Sequence, residues 1–165
     1  MSVDSTAQIH PSAVIEPGAR IGAGCEIGPF CWIGAHVELA QNVVCTSHVV
    51  IRGQTKVGSD TRIFSFAVIG EIPQDLKFKG EVSQLEIGQR NTIREHVTIN
   101  LGTQGGGGVT SIGDDCLLMA GCHIAHDARL GNRVIIVNSA AIAGHVVIED
   151  DVIVGGLCGV HQFVR

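Results

Sequence analysis

Residues 9–39 read IHPSAVIEPGARIGAGCEIGPFCWIGAHVEL, and an aliphatic residue occupies every sixth position of this stretch. In almost every repeat the residue four places after the aliphatic is small or β-branched, as at Ala13, Ala19 and Cys25. The period continues along most of the chain, with Cys45 as its one non-aliphatic member. The repeated aliphatics are Ile9, Ile15, Ile21, Ile27, Ile33, Leu39, Ile51, Val57, Ile63, Ile69, Ile87, Ile93, Ile99, Ile112, Leu118, Ile124, Leu130, Ile136, Ile142, Ile148, Val154 and Val160.

A six-residue period fits neither the 3.6 residues of a helical turn nor the alternation of a simple strand. Because β-branched residues dominate the repeat, we predict one short strand and one turn per hexad. Three hexads then close one triangular coil with the aliphatics inside. The sequence therefore predicts an all-β fold, a parallel β-helix of the hexapeptide class. Its resemblance to hexapeptide-repeat proteins implies a left-handed coil, an exception to the right-handed crossover rule.

Two segments interrupt the repeat, residues 71–84 and residues 103–111. The first carries charges and Pro73, and the second contains four consecutive glycines. We predict that both are loops extruded from a single β-helix domain spanning residues 1–165. A tolerated insertion is the simpler interpretation of each loop. Asp75 and Lys77 nevertheless suit ligand contacts, because a charged loop on a rigid scaffold commonly provides them.

The composition excludes several classes of function. Sixteen acidic and 11 basic residues give a net charge of −5 without a basic run, which argues against nucleic acid as the main partner. No apolar stretch approaches the roughly 18 residues of a membrane span, so we expect no membrane insertion. The cysteines lack the spacing of a disulfide or zinc framework, and we predict reduced core residues, which favour the cytoplasm. They are Cys25, Cys31, Cys116, Cys122 and Cys158 in the small inner position and Cys45 in the aliphatic position.

Histidines gather in the last third of the chain. Adding one coil of 18 residues places Gly144 beside His126 and His145 beside Asp127 on one corner. Polar corner residues of a solenoid normally just face solvent, and one such histidine alone would be read as a surface residue. Several histidines at neighbouring positions on successive coils favour a functional site. Adding 18 residues to Ala143 and Gly144 places His161 and Gln162 at the same corner, and His123 precedes that corner by three residues.

Two kinds of chemistry fit this group. The Asp127 carboxylate can fix the tautomer of His126 and raise its basicity, which suits a general base near neutral pH. The backbone N–H of Gly144 can then stabilise an oxyanion. Alternatively, three histidines suit zinc, with Asp127 acting through His126, as in the gamma-class carbonic anhydrases, which are hexapeptide-repeat proteins. Spacing alone leaves both readings open.

Longer strings carry a more specific resemblance. These strings are IGEIPQDLKFKGE (69–81), IREHVTINLGT (93–103), LLMAGCHIAHDARLGN (117–132), AGHV (143–146) and GGLCGVHQFVR (155–165). Together they resemble the acyl-carrier-protein–UDP-N-acetylglucosamine O-acyltransferases that begin lipid A synthesis, over essentially the whole chain. The hexad is shared by many acetyltransferases, whereas QDLK together with HIAHD, AGHV and VHQF is specific to this family.

The resemblance implies transfer of a 3-hydroxyacyl group from acyl carrier protein to the 3-hydroxyl of UDP-N-acetylglucosamine. It implies His126 as general base, Asp127 as its orienting group and the Gly144 amide as oxyanion donor. No cofactor or metal is expected. In a homotrimer, Asp75 and Lys77 would reach the cleft of a neighbouring subunit. The residues implied to line the substrate cleft are His123, His145, His161 and Gln162.

Two departures from the family pattern matter. Asn100 stands where the family often has histidine, so the resemblance implies no role for that position. The family's chain continues through further coils to a helical C-terminal domain, whereas this sequence stops at Arg165 without the terminal cap that solenoids need. We therefore expect a fragment or a truncated form, weakly active or inactive. The alternatives are a catalytically silent trimeric solenoid and a metal-dependent hexapeptide enzyme.

Overall fold

The computed structural model describes residues 2–165 and confirms the predicted solenoid. Three parallel sheets of eight strands each form the sides of a triangular coil. Within a sheet, every strand pairs with a strand of the next coil, so that Ile124 lies beside Ile142 and His123 beside Ala141. The coil is left-handed. We label the sheets A, B and C in the order in which the chain first visits them.

The strands are mostly two residues long. Sheet A contains β1 (Ser2–Val3), β4 (Arg20–Ile21), β7 (Glu38–Leu39), β10 (Gln54–Val57), β13 (Gln84–Ile87), β16 (Val109–Ile112), β19 (Arg129–Leu130) and β22 (Val147–Ile148). Sheet B contains β2 (Gln8–Ile9), β5 (Glu26–Ile27), β8 (Val44–Cys45), β11 (Arg62–Ile63), β14 (Thr92–Ile93), β17 (Leu117–Leu118), β20 (Ile135–Ile136) and β23 (Ile153–Val154). Sheet C contains β3 (Val14–Ile15), β6 (Trp32–Ile33), β9 (Val50–Ile51), β12 (Val68–Glu71), β15 (Thr98–Asn100), β18 (His123–Ile124), β21 (Ala141–Ile142) and β24 (Gly159–Val160).

The repeated aliphatics fill the inside of the coil. Ile33 on sheet C, Ile63 on sheet B and Leu39 on sheet A are all buried, and small residues such as Ala19 and Val37 form the second inner row. Each buried aliphatic contributes roughly 1.5–3 kcal/mol. The free energy of folding therefore comes mainly from this inner column, which leaves the corner residues free to carry chemistry.

Most of the cysteines lie in this core, but Cys158 does not. The five cysteines other than Cys158 are buried, as predicted, whereas Cys158 is exposed. It occupies the expected inner position, but no further coil within residues 2–165 packs over it. Burial raises the pKa of the Cys122 thiol to about 12, so this thiol stays protonated and behaves as a small apolar side chain.

Two devices turn the chain at the corners. A glycine directly after the aliphatic lets successive coils approach closely, because a Cβ at Gly22 would lie 2.7 Å from the Ala40 backbone. The φ of Gly22 is not positive. The second device is a residue in the left-handed conformation, which lies two positions after this glycine position in the hexad. Asp127 and His145 both adopt it, each with a φ of 60°. These two residues consequently stand in register on successive coils.

Two loops leave the coil between sheets C and A. The first loop (residues 72–83) joins β12 to β13, and the second loop (residues 101–108) joins β15 to β16. The second contains a 3-10 turn, Gln104–Gly106. Residues 109–111, which the sequence pattern assigned to the second loop, instead extend β16 and pair in register with β13. No helix within residues 2–165 is long and apolar enough to cross a membrane.

Candidate active site

His126 and Asp127 form a buried hydrogen-bonded pair at the turn between β18 and β19. The Nδ1 atom of His126 lies 2.8 Å from Oδ2 of Asp127. His126 is 8% exposed and Asp127 is 3% exposed. Because an ionised carboxylate only accepts hydrogen bonds, we assign the proton of the neutral imidazole to Nδ1. Nε2 of His126 is then the basic nitrogen.

Three further hydrogen bonds hold Asp127. The backbone N–H of Thr103 donates to Oδ1 at 2.9 Å, and the Thr103 hydroxyl donates to Oδ2 at 2.6 Å. The N–H of Asp127 donates to the Thr110 hydroxyl oxygen at 2.8 Å. Sequence reasoning missed Thr103, because it lies where the six-residue period breaks and coil arithmetic does not reach it. Its position at the entrance of the glycine run was the only available signal.

Gly144 lies against the ring of His126 on the next coil. A Cβ at this position would lie 2.7 Å from Cε1 and 2.8 Å from Nε2 of His126, so a side chain would displace the imidazole. Within residues 2–165, the N–H of Gly144 donates to no acceptor, while the next amide, that of His145, donates to the His126 carbonyl oxygen at 3.2 Å. A free N–H therefore stands beside the candidate base. We call His126, Asp127, Gly144 and His145 together the histidine corner.

His145 packs behind this pair. Its ring stacks on Phe163 with centroids 4.8 Å apart and meets the His126 ring edge-on at 5.1 Å. Its Nε2 lies 3.9 Å from Oδ2 of Asp127. One ligand atom from each of His126, Asp127 and His145 lies within 4.8 Å of the others, and these donor types suit zinc. Hydrogen bonds to both Asp127 oxygens already account for the position of this carboxylate.

A cleft of about 540 Å³ opens in front of His126. His123 lines it and lies 2.7 Å, Nδ1 to Oγ1, from Thr98. Burial, and secondarily the nearby His126, lowers the pKa of His123, so this imidazole is neutral near pH 7. The structure thus brings most of the predicted residues to one place. The other lining residues are Gln74, Ala125, Ala141, Ile142, Ala143, Gly144, Gly159, Val160, His161 and Gln162.

The two predicted residues of the first loop lie elsewhere in the chain. Asp75 and Lys77 line a separate cleft of about 620 Å³ between the two loops, which also includes Thr103. From the first loop, only Gln74 lines the cleft of His126 in the same chain. Nδ2 of Asn100 donates to the Ile72 carbonyl oxygen at 3.1 Å, and so fixes the start of this loop.

Comparison with known proteins identifies relatives of the chain by sequence and by structure. The family model "Bacterial transferase hexapeptide (six repeats)" matches residues 3–35, 12–47 and 110–144. The acyl-[acyl-carrier-protein]–UDP-N-acetylglucosamine O-acyltransferase of Paracoccus denitrificans is 71% identical over 103 residues. A crystal structure of a UDP-N-acetylglucosamine acyltransferase aligns with the whole chain at a TM-score of 0.87 and 48% identity. The structure of the Campylobacter jejuni UDP-N-acetylglucosamine acyltransferase aligns with 94% of this chain, at a TM-score of 0.91 and 46% sequence identity.

Over the matched lengths, the chain is similar to UDP-N-acetylglucosamine O-acyltransferases and carries bacterial transferase hexapeptide repeats. The matched segment is 62% of this chain and 40% of the Paracoccus relative. The chain also covers 61% of each of the two solved chains. It therefore spans less than two thirds of the length of the relatives that it matches.

Proposed function

We propose that this chain carries the catalytic corner of an acyltransferase. The enzyme would move a 3-hydroxyacyl group from acyl carrier protein to the 3-hydroxyl of UDP-N-acetylglucosamine, an early step of lipid A synthesis. The observation that carries the proposal is the buried His126–Asp127 pair with an unpartnered Gly144 N–H beside it, in a chain related to O-acyltransferases.

His126 is the general base of the proposed reaction. Its Nε2 removes the proton of the sugar hydroxyl as the oxygen attacks the thioester carbonyl carbon. The carbonyl oxygen becomes an oxyanion, which the Gly144 N–H stabilises. Collapse of this intermediate breaks the carbon–sulfur bond, and protonated His126 returns the proton to the leaving thiolate. General-base catalysis is typically worth about 10²- to 10⁴-fold.

Asp127 and the cleft residues orient this chemistry. Asp127 holds the proton on Nδ1 of His126, which leaves Nε2 free to accept one. Neutral His123 is suited to hydrogen bonding with a sugar or phosphate oxygen, because its pKa is lowered by burial. His161 is exposed at the cleft edge. We assign His123, His161 and Gln162, which line the cleft, to substrate binding, whereas His145 does not line the cleft and packs behind the catalytic pair.

A homotrimer would complete the site. In this arrangement Asp75 and Lys77 reach the cleft of a neighbouring subunit, because within their own chain they line a different cleft. Sheet C and the corner before it carry large apolar side chains at the surface, which support a protein contact there. The exposed residues there are Val14, Phe30, Trp32 and Phe66, and the exposed Ile72 follows at the start of the first loop.

The proposed reaction changes no oxidation state and therefore needs no redox cofactor, and we expect no other cofactor. The buried cysteines, kept protonated by burial, support a reducing compartment, and we assign the enzyme to the cytoplasm.

The test is transfer from a 3-hydroxyacyl carrier protein to UDP-N-acetylglucosamine, measured on this chain and on the longest natural chain that contains it. We expect activity in the longer chain and its loss in His126→Ala, with circular dichroism and oligomeric state unchanged. Activity that persists in His126→Ala means that the base is wrongly assigned. No transfer by either chain favours a silent trimeric solenoid.

A metal-dependent enzyme is the second candidate, because His126, Asp127 and His145 cluster within 4.8 Å. Dialysis against a chelator separates the two functions. For the acyltransferase we expect unchanged activity after dialysis and no stimulation by added zinc. Loss of activity that zinc restores would favour the metal enzyme instead.

A further inference from the structure

The second loop lies directly on the carboxylate of Asp127. A Cβ at Gly106 would overlap the carboxyl carbon and both carboxyl oxygens of Asp127. Only glycine therefore allows the loop backbone to pack so closely at this point. Gly106 is therefore required by the packing of the loop against Asp127. An insertion that was merely tolerated would not need glycine at this position.

The loop is anchored so that Thr103 stays in place. The carbonyl oxygen of Thr103 accepts hydrogen bonds from the N–H groups of Gly106 at 3.0 Å and Gly108 at 2.8 Å. Gly102 and Gly108 in turn bond to Gln84 at the start of β13, at 3.1 and 2.8 Å. Thr103 is buried, as are its partners Thr110 and Asp127. The hydroxyl of Thr103 consequently has a fixed direction.

Two donors share one oxygen of Asp127. The Thr103 hydroxyl lies 2.6 Å and His126 Nδ1 lies 2.8 Å from the same Oδ2 atom. Hydrogen bonds to a charged acceptor are the strong ones, and Oδ2 divides its negative charge between these two donors. The hydroxyl thereby fixes the carboxylate and also limits how strongly it attracts a proton to His126.

We propose that Thr103 is a positioning residue of the catalytic pair, and that the second loop is part of the active site rather than an insertion. The expected effect of Thr103 on kcat rests on the proposed acyl transfer. Its expected effect on the titration of His126 does not. Thr103 acts through Asp127 and does not line the cleft in front of His126.

Removing the Thr103 hydroxyl should change the protonation equilibrium of His126 in one direction. The whole charge of Oδ2 then faces His126, so the protonated imidazole becomes more stable relative to the neutral one. We therefore expect the acidic limb of the kcat/KM profile to move to higher pH in Thr103→Val. The other titratable groups facing His126 are His123 on β18, His145 on the next coil and His161 across the cleft. All three are retained in the variants below.

The experiment compares Thr103→Val with Thr103→Ser, which keeps the hydroxyl. Thr61→Val is the matched control, because Thr61 is a fully buried threonine at another corner whose hydroxyl bonds to backbone groups: it donates to the Gly88 carbonyl oxygen and accepts from the Asn91 N–H. Ring signals of labelled histidine, assigned with His126→Gln, give the titration of His126 in this chain without any activity. Transfer kinetics are measured on the longest natural chain.

We expect Thr103→Val to raise the titration midpoint of His126 and to lower kcat by about tenfold, less than the full worth of a general base, with little change in KM. Thr103→Ser and Thr61→Val should match the wild type in both. If the wild type transfers nothing, the proposed function fails, while the titration still tests Thr103. Coincident His126 titrations in Thr103→Val and the wild type would overturn the inference.

Gly106→Ala supplies a second variant if Thr103→Val does not fold. The added Cβ must push the loop away from Asp127 while leaving every side-chain donor in the chain. We expect the same direction of change in the His126 titration. A folded Gly106→Ala protein with an unchanged titration and unchanged kcat would contradict a role of this loop in the site.

Discussion

Two corners of the coil place ionisable residues at the same backbone position but surround them differently. Arg90, Asp115, Arg133 and Asp151, which we call the charged corner, have φ values between 56° and 62° on successive coils between sheets A and B. Asp127 of the histidine corner has a φ of 60°. The repeat therefore sets the same backbone geometry at both corners and does not by itself distinguish an active site.

The ionisable residues of the charged corner pair with one another in ion pairs that are exposed to solvent. Arg90 lies 2.7 Å from Asp115, and Arg133 lies 2.6 Å from Asp151, with the carboxylate side chains 41% and 65% exposed. Such exposed pairs contribute little to stability. The side chain of Asp127 is 1% exposed, and its partner is an imidazole that can take up a proton. Burial beneath the second loop thus distinguishes the Asp127 carboxylate from the surface carboxylates of the charged corner.

The largest effect is expected from removing the charge of Asp127. Asp127→Asn keeps the shape of the side chain, but its amide can no longer accept from every donor around it. The wrong tautomer of His126 then becomes favoured, and we expect kcat to fall by about 10³- to 10⁴-fold, the scale of such changes in other base–carboxylate pairs. Asp151→Asn is the matched control at the charged corner and should retain full activity. Equal losses in the two variants would mean that the comparison of the corners is wrong.

Gly144→Ala should have the next largest effect. The new Cβ would lie 2.7–3.2 Å from three atoms of the His126 ring, so the ring must move away from its place beside the free N–H. We expect kcat to fall by about 10²- to 10³-fold, the scale of losing one oxyanion donor.

Gly155→Ala is the control for this effect, because its Cβ would meet only Sγ of Cys158 at 3.5 Å. It should change neither kcat nor the melting temperature appreciably. A Gly144→Ala enzyme that keeps wild-type kcat would show that the His126 ring does not need its present position.

The periodic part of the site could be predicted, and the aperiodic part could not. His126, Asp127, Gly144 and His145 follow from adding one coil, because strand pairing keeps successive coils in register. The position of Thr103 could not be found in this way, because the second loop interrupts the register between coils. The positions of Asp75 and Lys77 depend on a loop without a period, and the exposure of Cys158 depends on which coil lies next to it rather than on its place in the hexad.

The smallest effect is expected at the charged corner, and it should depend on pH. Hydrogen bonding from the Arg133 guanidinium lowers the pKa of Asp151. Stability from this pair is thus present above the pKa of an unfolded aspartate and is lost as the pH falls through the lower folded-state pKa. Arg133→Ala should slightly lower the urea midpoint at neutral pH, and the difference from the wild type should vanish in acid and shrink in about 1 M salt, where the Debye length is roughly 3 Å. Arg62→Ala, at an arginine without an ion pair among residues 2–165, is the control and should show neither dependence. A difference that persists in acid would place the contribution of Arg133 in packing of its methylene groups rather than in charge.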